Sequence, residues 1–205
     1  MVLAVSKKIV GVITTSDVIR PHAKDTVDRL KGLGLDIGIL TGDNRYVAEV
    51  IAKELNIKTV LSEVLPGSKS NEIKKMQTKG LTVGMVGDGI NDAPALAQAD
   101  LGIAVGSGAD VAIEASDITL MSNDLTAVVD AIELSNKTMA KVKQNLFWAF
   151  FYNCLGIPIA AGMLYPIFGI LLSPVYAALA MTLSSVSVIS NSLLLKKFTP
   201  KARIL

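Results

Sequence analysis

From Ile9 to about Leu120, short β-rich apolar runs alternate with stretches of helical periodicity. Ile9 to Thr14 reads as a strand. Pro21 then opens a helix with Ala23, Val27 and Leu30 on one face, closed by Gly32 and Gly34. Leu35 to Leu40 reads as a buried strand, followed by a helix carrying Val47, Val50, Ile51 and Leu55. Val60 to Val64 is a weaker strand, and Pro66 to Gln77 is helical with Ile73 and Met76 inward. Leu81 to Val86, Leu101 to Val105 and Ile118 to Met121 complete the strands. Strands alternating with helices predict an α/β fold, a mostly parallel sheet covered on both faces, with ligands at the carboxyl ends of its strands. Val2 to Ile13 reads as a hairpin ahead of it.

Beyond Asp124 the alternation stops. A helical pattern (Leu125, Val128, Val129, Ile132) runs through Lys137, Lys141 and Lys143 without a breaker and enters an uncharged stretch, Leu146 to Leu164. A second uncharged stretch, Ser173 to Leu195, follows a turn holding Tyr165, Pro166, Gly169 and Pro174. Each is about long enough to cross the ~30 Å hydrocarbon core as a helix. Lysines precede the first span, Lys196, Lys197, Lys201 and Arg203 follow the second, and the turn between is uncharged. The positive-inside rule puts both chain ends in the cytoplasm. The pattern predicts a transmembrane helical hairpin in a cell membrane.

Composition sharpens this division. Half of the 205 residues are hydrophobic, yet no Asp, Glu, Lys or Arg occurs between Leu146 and Leu195. A net charge of +2 gives no support to a nucleic-acid partner. The single cysteine excludes an internal disulfide and any CxxC motif. The amino-terminal apolar stretch is too short for a signal peptide.

The chemistry concentrates at two strand ends. Gly87-Asp88-Gly89-Ile90-Asn91-Asp92-Ala93-Pro94 places two carboxylates and an amide on a glycine-flanked turn, with Pro94 suited to the first turn of a helix. Acidic oxygens beside an anion-friendly turn suit a hard cation such as Mg²⁺ set between them and a phosphate. Thr41-Gly42-Asp43 falls at the end of another strand. In the apolar half Asn145, Tyr152, Asn153, Met181, Ser184, Ser185, Ser187 and Asn191 are the costly polar or soft groups. Met181 and Ser185 share a helix face, and the thioether favours a soft cation such as Cu⁺. Cys154 reads as a small hydrophobe.

Together these residues resemble the carboxyl-terminal part of a heavy-metal P-type ATPase of the copper-exporting subclass, over essentially the whole chain. Thr41-Gly42-Asp43-Asn44 and Gly87 to Pro94 are similar to the family's phosphorylation-domain motifs. The fold the resemblance implies is haloacid-dehalogenase-like, a Rossmannoid parallel sheet. It implies that Thr41, with Gly42 and Asp43, contacts the phosphoryl group and that Lys69 neutralises it. It implies Mg²⁺ on Asp88, flanked by the cofactor-binding Gly87 and Gly89, with Asn91 and Asp92 completing the acidic cluster. Asn145, Tyr152-Asn153 and Pro158 are similar to the penultimate helix of copper exporters, and Met181 to Ser185 to their last. By that likeness Tyr152, Asn153, Met181 and Ser185 line a Cu⁺ path, and the complete pump uses ATP.

The expected domains are a nucleotide-domain remnant over 1–13, a phosphorylation domain over 14–136, a membrane domain over 137–198 and a cytoplasmic tail over 199–205. The family's nucleophile lies in an Asp-Lys-Thr-Gly-Thr string, and neither that string nor Cys-Pro-Cys occurs here. The sequence therefore reads as a truncated product or as one piece of a split pump, inactive alone. Two other readings stand beside it. One is a phosphohydrolase of the same superfamily; the other is a non-catalytic membrane partner of a separately encoded amino-terminal half.

Overall fold

In the computed structural model, the described residues are 2–5, 8–12, 18–88, 90–106, 110–169 and 173–199. They form two compact units, Met1–Val128 and Val129–Leu205. The expected strand residues Ile13 and Thr14, and the tail from 200 onward, lie outside the described residues.

The first unit opens with an antiparallel hairpin, β1 (Val2–Val5) and β2 (Lys8–Val12), bulged between Leu3 and Ala4. The alternating part follows as α1 (Ala23–Gly32), β3 (Gly38–Leu40), α2 (Arg45–Glu54) and β4 (Thr59–Leu61). Then come α3 (Lys69–Thr78), β5 (Gly84–Gly87), α4 (Ala93–Gln98), β6 (Leu101–Val105), α5 (Asp110–Glu114) and β7 (Ile118–Leu120). β3 pairs with β4, β5 with β6 and β6 with β7, every pair parallel. The α/β reading therefore holds.

Apolar periodicity explains the two cores. Ala23 and Val27 of α1 meet Ala52 of α2 with Leu55 and Ile57, against Ile39 and Val60 of the strands. Ile73 of α3, Ala95 and Leu96 of α4 and Ala112 of α5 gather round Met85 of β5. Leu40 of β3 joins that second cluster, so the β3–β4 pair and the β5–β7 triplet share packing. Several boundaries differ from the sequence pattern. Pro21 precedes the helix by two residues, because His22 takes a left-handed conformation (φ 62°) and α1 starts at Ala23. β5 begins at Gly84 rather than Leu81, since the Val83 N–H donates to Asp100 Oδ2 (2.8 Å) instead of to a strand. The short α5 carries too few residues to show helical periodicity.

α6 spans Thr126–Ala160 and begins at the end of the first unit. Its first free N–H is met by a side chain: Thr126 N donates to Asp124 Oδ1 at 3.0 Å. That bond, with a further contribution from the charge of His22, holds the Asp124 carboxyl below the usual carboxylate range. A depressed carboxyl stabilises the folded chain above its unfolded value, about 3.9, and loses that contribution as pH falls through the folded one. Amide protection of Thr126 to Val128, corrected for intrinsic exchange, is therefore expected to drop below about pH 4. Asp124→Asn, which keeps the acceptor but not the titration, removes that drop.

The second unit holds the rest of α6, a single turn α7 (Tyr165–Phe168) and α8 (Pro174–Leu193), which passes into a 3-10 turn over Leu194–Lys197. α6 stops four residues before the expected end of the first apolar stretch. Gly162 sits at φ 92°, Met163 N donates to Pro158 O (3.0 Å) and Gly162 N to Ile159 O (3.1 Å). These are the paired bonds with which a left-handed glycine closes a helix. Phe147, Phe150, Leu155, Ile157, Leu179, Leu183 and Ile189 are all exposed, a surface that suits lipid better than water. Among the described residues one stretch, Ala178–Lys197, is long and apolar enough to cross a membrane by itself.

Candidate functional site

Parallel strands deliver the polar residues to their carboxyl ends. β3 ends at Leu40 and hands the chain to Thr41, whose N–H continues the ladder to Leu61 O at 2.9 Å. The Thr41 hydroxyl donates to Asp43 Oδ2 (2.8 Å) and accepts from Asp43 N (3.1 Å), which folds Thr41, Gly42 and Asp43 into a tight turn. Asn44 then caps α2 by accepting the Val47 N–H at 2.9 Å. The loop is tied to the next segment by Glu63 N to Asp43 O and Val64 N to Thr41 O. Three residues on, the 3-10 turn Pro66–Ser68 leads into Lys69 at the start of α3.

Lys69 Nζ donates to Asp92 Oδ1 at 2.6 Å, with both side chains largely buried (13% and 15% exposed). The pair spans the gap between α3 and the turn Ile90–Asp92 that follows β5. Gly87, the last residue of β5, makes that approach possible. A Cβ there would lie 2.8 Å from Asp92 Cβ and 2.9 Å from Asp92 Oδ2. Asp88, half exposed, forms an ion pair with the Arg20 guanidinium. Asn91 is exposed, and Gly89 lies outside the described residues.

The structure thus joins Lys69 to Asp92 directly, and ties the Thr41–Asp43 turn to the chain that leads into Lys69. Among the described residues no three His, Cys, Asp or Glu side chains gather as a metal-binding set. The donor chemistry still fits Mg²⁺, which is bound through one or two carboxylates with waters and phosphate oxygens. Two carboxylates at one strand end, each now facing a cationic side chain, are that donor set. Arg20 carries no sequence signal: it stands 68 positions from Asp88, next to a proline that reads only as a helix start.

In the second unit, Tyr152 belongs to an aromatic cluster on α6. Its ring lies 6.0 Å from that of Trp148 and 6.3 Å from that of Phe151. Asn153 Nδ2 turns back to Ala149 O (2.8 Å), and Ser185 Oγ donates to Met181 O (3.2 Å). Met181 is exposed, as is Cys154. These bonds satisfy one donor of each side chain within its own helix. Among the described residues no hydrogen bond links Tyr152 or Asn153 to Met181 or Ser185.

Comparison with known proteins gives matches at the level of family, sequence and structure. A family model described as a haloacid dehalogenase-like hydrolase matches residues 2–100. A probable copper-exporting P-type ATPase of Archaeoglobus fulgidus is 56% identical over 203 residues, covering 99% of this chain and 25% of the relative. A probable copper-transporting ATPase PacS of Synechocystis is 54% identical over 198 residues, covering 97% and 27%. A crystal structure of a zinc-transporting PIB-type ATPase in the E2.Pi state aligns with a TM-score of 0.79 at 34% identity. It covers 95% of this chain and 31% of that one. The chain thus spans about a quarter of the length of the curated relatives it matches.

Proposed function

Because the chain is homologous over nearly its whole length to copper-exporting P-type ATPases, we propose that it supplies the phosphoryl-handling domain and cargo helices of a Cu⁺ exporter. Such a pump couples ATP hydrolysis, through an aspartyl phosphate, to metal efflux. The observation that carries this reading is the pairing of Lys69 with Asp92 at the strand end that also presents Asp88. A lysine ammonium poised beside two carboxylates suits phosphoryl transfer, in which catalysis is mostly positioning and charge neutralisation.

In the proposed roles, Thr41 turns its hydroxyl from Asp43 to a phosphoryl oxygen, and Gly42 keeps the backbone close. Lys69 releases Asp92 to neutralise the same group. Asp88 would hold Mg²⁺, with Asn91 and Asp92 beside it, once freed from its ion pair with Arg20. When bound, Mg²⁺ supplies charge neutralisation of the phosphoryl oxygens. Tyr152, Asn153, Met181 and Ser185 form the Cu⁺ path between two membrane-spanning helices, with both chain ends in the cytoplasm.

The 205 residues contain no Asp-Lys-Thr-Gly-Thr string to supply a nucleophile, so covalent phosphoryl transfer has no attacking carboxylate within them. A polypeptide of these residues, given radiolabelled ATP, is expected to form no acid-stable, hydroxylamine-labile phosphoenzyme. Co-reconstituted with a polypeptide carrying that string and Cys-Pro-Cys, it is expected to restore copper-stimulated ATP hydrolysis. A labelled acyl phosphate on the chain alone overturns the incomplete-site reading; failure of every such pairing overturns the pump reading. A superfamily phosphohydrolase is favoured by the family match over 2–100, but it leaves the apolar helix Ala178–Lys197 without a role.

A further inference from the structure

If Tyr152, Asn153, Met181 and Ser185 line the cargo path, something must hold α6 and α8 with those residues face to face. Their own hydrogen bonds do not, since they close within each helix. Among the described residues, the hydrogen bonds between α6 and α8 all fall at one level. Lys141 Nζ donates to Asn191 Oδ1 at 2.7 Å. Asn191 Nδ2 donates to Asn145 Oδ1 at 2.8 Å and, more weakly, to Gln144 Oε1 at 3.4 Å. Asn145 Nδ2 donates to Ser192 Oγ at 2.8 Å, and Ser192 Oγ passes its own proton to Val188 O at 2.9 Å. The relay runs in one direction, from ammonium through two amides to a hydroxyl and a carbonyl. Shifting one helix by a turn breaks every bond of it that crosses between the helices.

Helix geometry carries this clasp to the cargo residues. α6 leaves the clasp toward Ala160 and α8 returns to it from Pro174, so the two run antiparallel. Tyr152 lies seven residues beyond Asn145, and Ser185 lies seven before Ser192. Over seven residues a helix comes back to within about 20° of the same face and rises about 10 Å. Tyr152 therefore shares the face of Asn145, Ser185 shares that of Ser192, and both stand at the same distance from the clasp. Met181, eleven residues before Ser192, also returns to within about 20° of that face. Asn153 is displaced by about 100° and borders the same seam. Ala149 and Val188, four residues from Asn145 and Ser192, are each half-buried.

We infer that Lys141, Asn145, Asn191 and Ser192 are positioning residues, whose relay fixes the register that sets Tyr152 opposite Ser185 with Met181 one turn further on. The inference rests on the cargo-path reading only for its purpose. The register itself is measurable without copper.

With Cys154 replaced by Ala, the full chain carrying Ala149→Cys and Val188→Cys reports the clasp register, and Ala149→Cys with Ser184→Cys reports a one-turn slip. In nanodiscs, a short bismaleimide is expected to join the first pair in preference to the second. Asn191→Leu is expected to reduce that preference about three- to tenfold, the worth of an interhelical hydrogen bond or two. The exchange Asn145→Ser with Ser192→Asn retains one amide and one hydroxyl across the seam and is expected to keep the preference. An unchanged preference in Asn191→Leu, or its loss in the exchange variant, overturns the inference. Loss of Cu⁺ binding in Tyr152→Phe or Met181→Leu with the preference intact tests the cargo reading separately.

Discussion

Asp88→Asn is expected to weaken divalent-metal binding by about ten- to thirtyfold, while Arg20→Gln strengthens it by up to about fivefold. The opposite signs follow from the ion pair between these two side chains. Two unit charges about 4 Å apart attract by about 4 kcal/mol at an effective dielectric of 20. Asp88 is 52% exposed, so solvent screening roughly halves the loss to about 2 kcal/mol. Asn keeps the shape and one oxygen, but a hard cation selects carboxylates. In the proposed site Arg20 competes with the metal for the same oxygen, and an exposed pair of this kind is worth at most about 1 kcal/mol. Mn²⁺ titration of the full chain in detergent, read from the paramagnetic resonance of the free ion, measures both. Weaker binding in Arg20→Gln would show that the guanidinium supports the metal site instead of occupying it.

That ion pair marks where sequence and structure part. β6 was legible end to end, because Leu101 to Val105 is an unbroken apolar run bounded by polar turns. Both motif loops fell at strand ends as the alternation of elements required. What the pattern could not supply is pairing across long separations. Lys69 to Asp92 spans 23 positions and Arg20 to Asp88 spans 68; no periodicity connects them, because each depends on how separate β–α units are laid side by side. The helix pair shows the same division. Asn145 and Asn191 stand out as expensive amides, but Lys141 reads as one more cytoplasmic lysine until Asn191 is seen to accept from it. The end of α6 escapes the hydropathy pattern for a different reason: the apolar stretch runs past Ala160, while the left-handed Gly162 stops the helix on backbone grounds.

Gly102→Ala is expected to be a strongly disruptive single-methyl change in the first unit. Gly102 is buried in β6, the middle strand of the parallel triplet, where α4 crosses it. A Cβ would stand 2.6 Å from Leu96 O and 3.1 Å from its carbonyl carbon. Those are backbone atoms of a helix fixed by Leu96 and Ala95, which are almost wholly buried, so no side chain can swing away. Nor can the strand yield easily. Gly102 N donates to Asp117 Oδ2 (2.8 Å) and Gly102 O accepts from Asp117 N (2.9 Å), so both backbone polar groups of the residue are held by Asp117. Overpacking of this kind costs about 1–3 kcal/mol, and the rigid neighbours place Gly102→Ala at the upper end. Gly84→Ala is the matched control: also in the sheet, its Cβ would meet Leu101 O at an ordinary 3.8 Å. Hydrogen exchange of the full chain should show protection of β5, β6 and β7 falling together in Gly102→Ala, by about tenfold or more, and little changed in Gly84→Ala. Equal losses in the two variants would mean that strand glycine entropy, and not the α4 contact, sets the cost. Because α4 also follows the Ile90–Asp92 turn, displacing it moves Asp92 away from Lys69, so packing beneath the helix holds the Lys69–Asp92 pair in place.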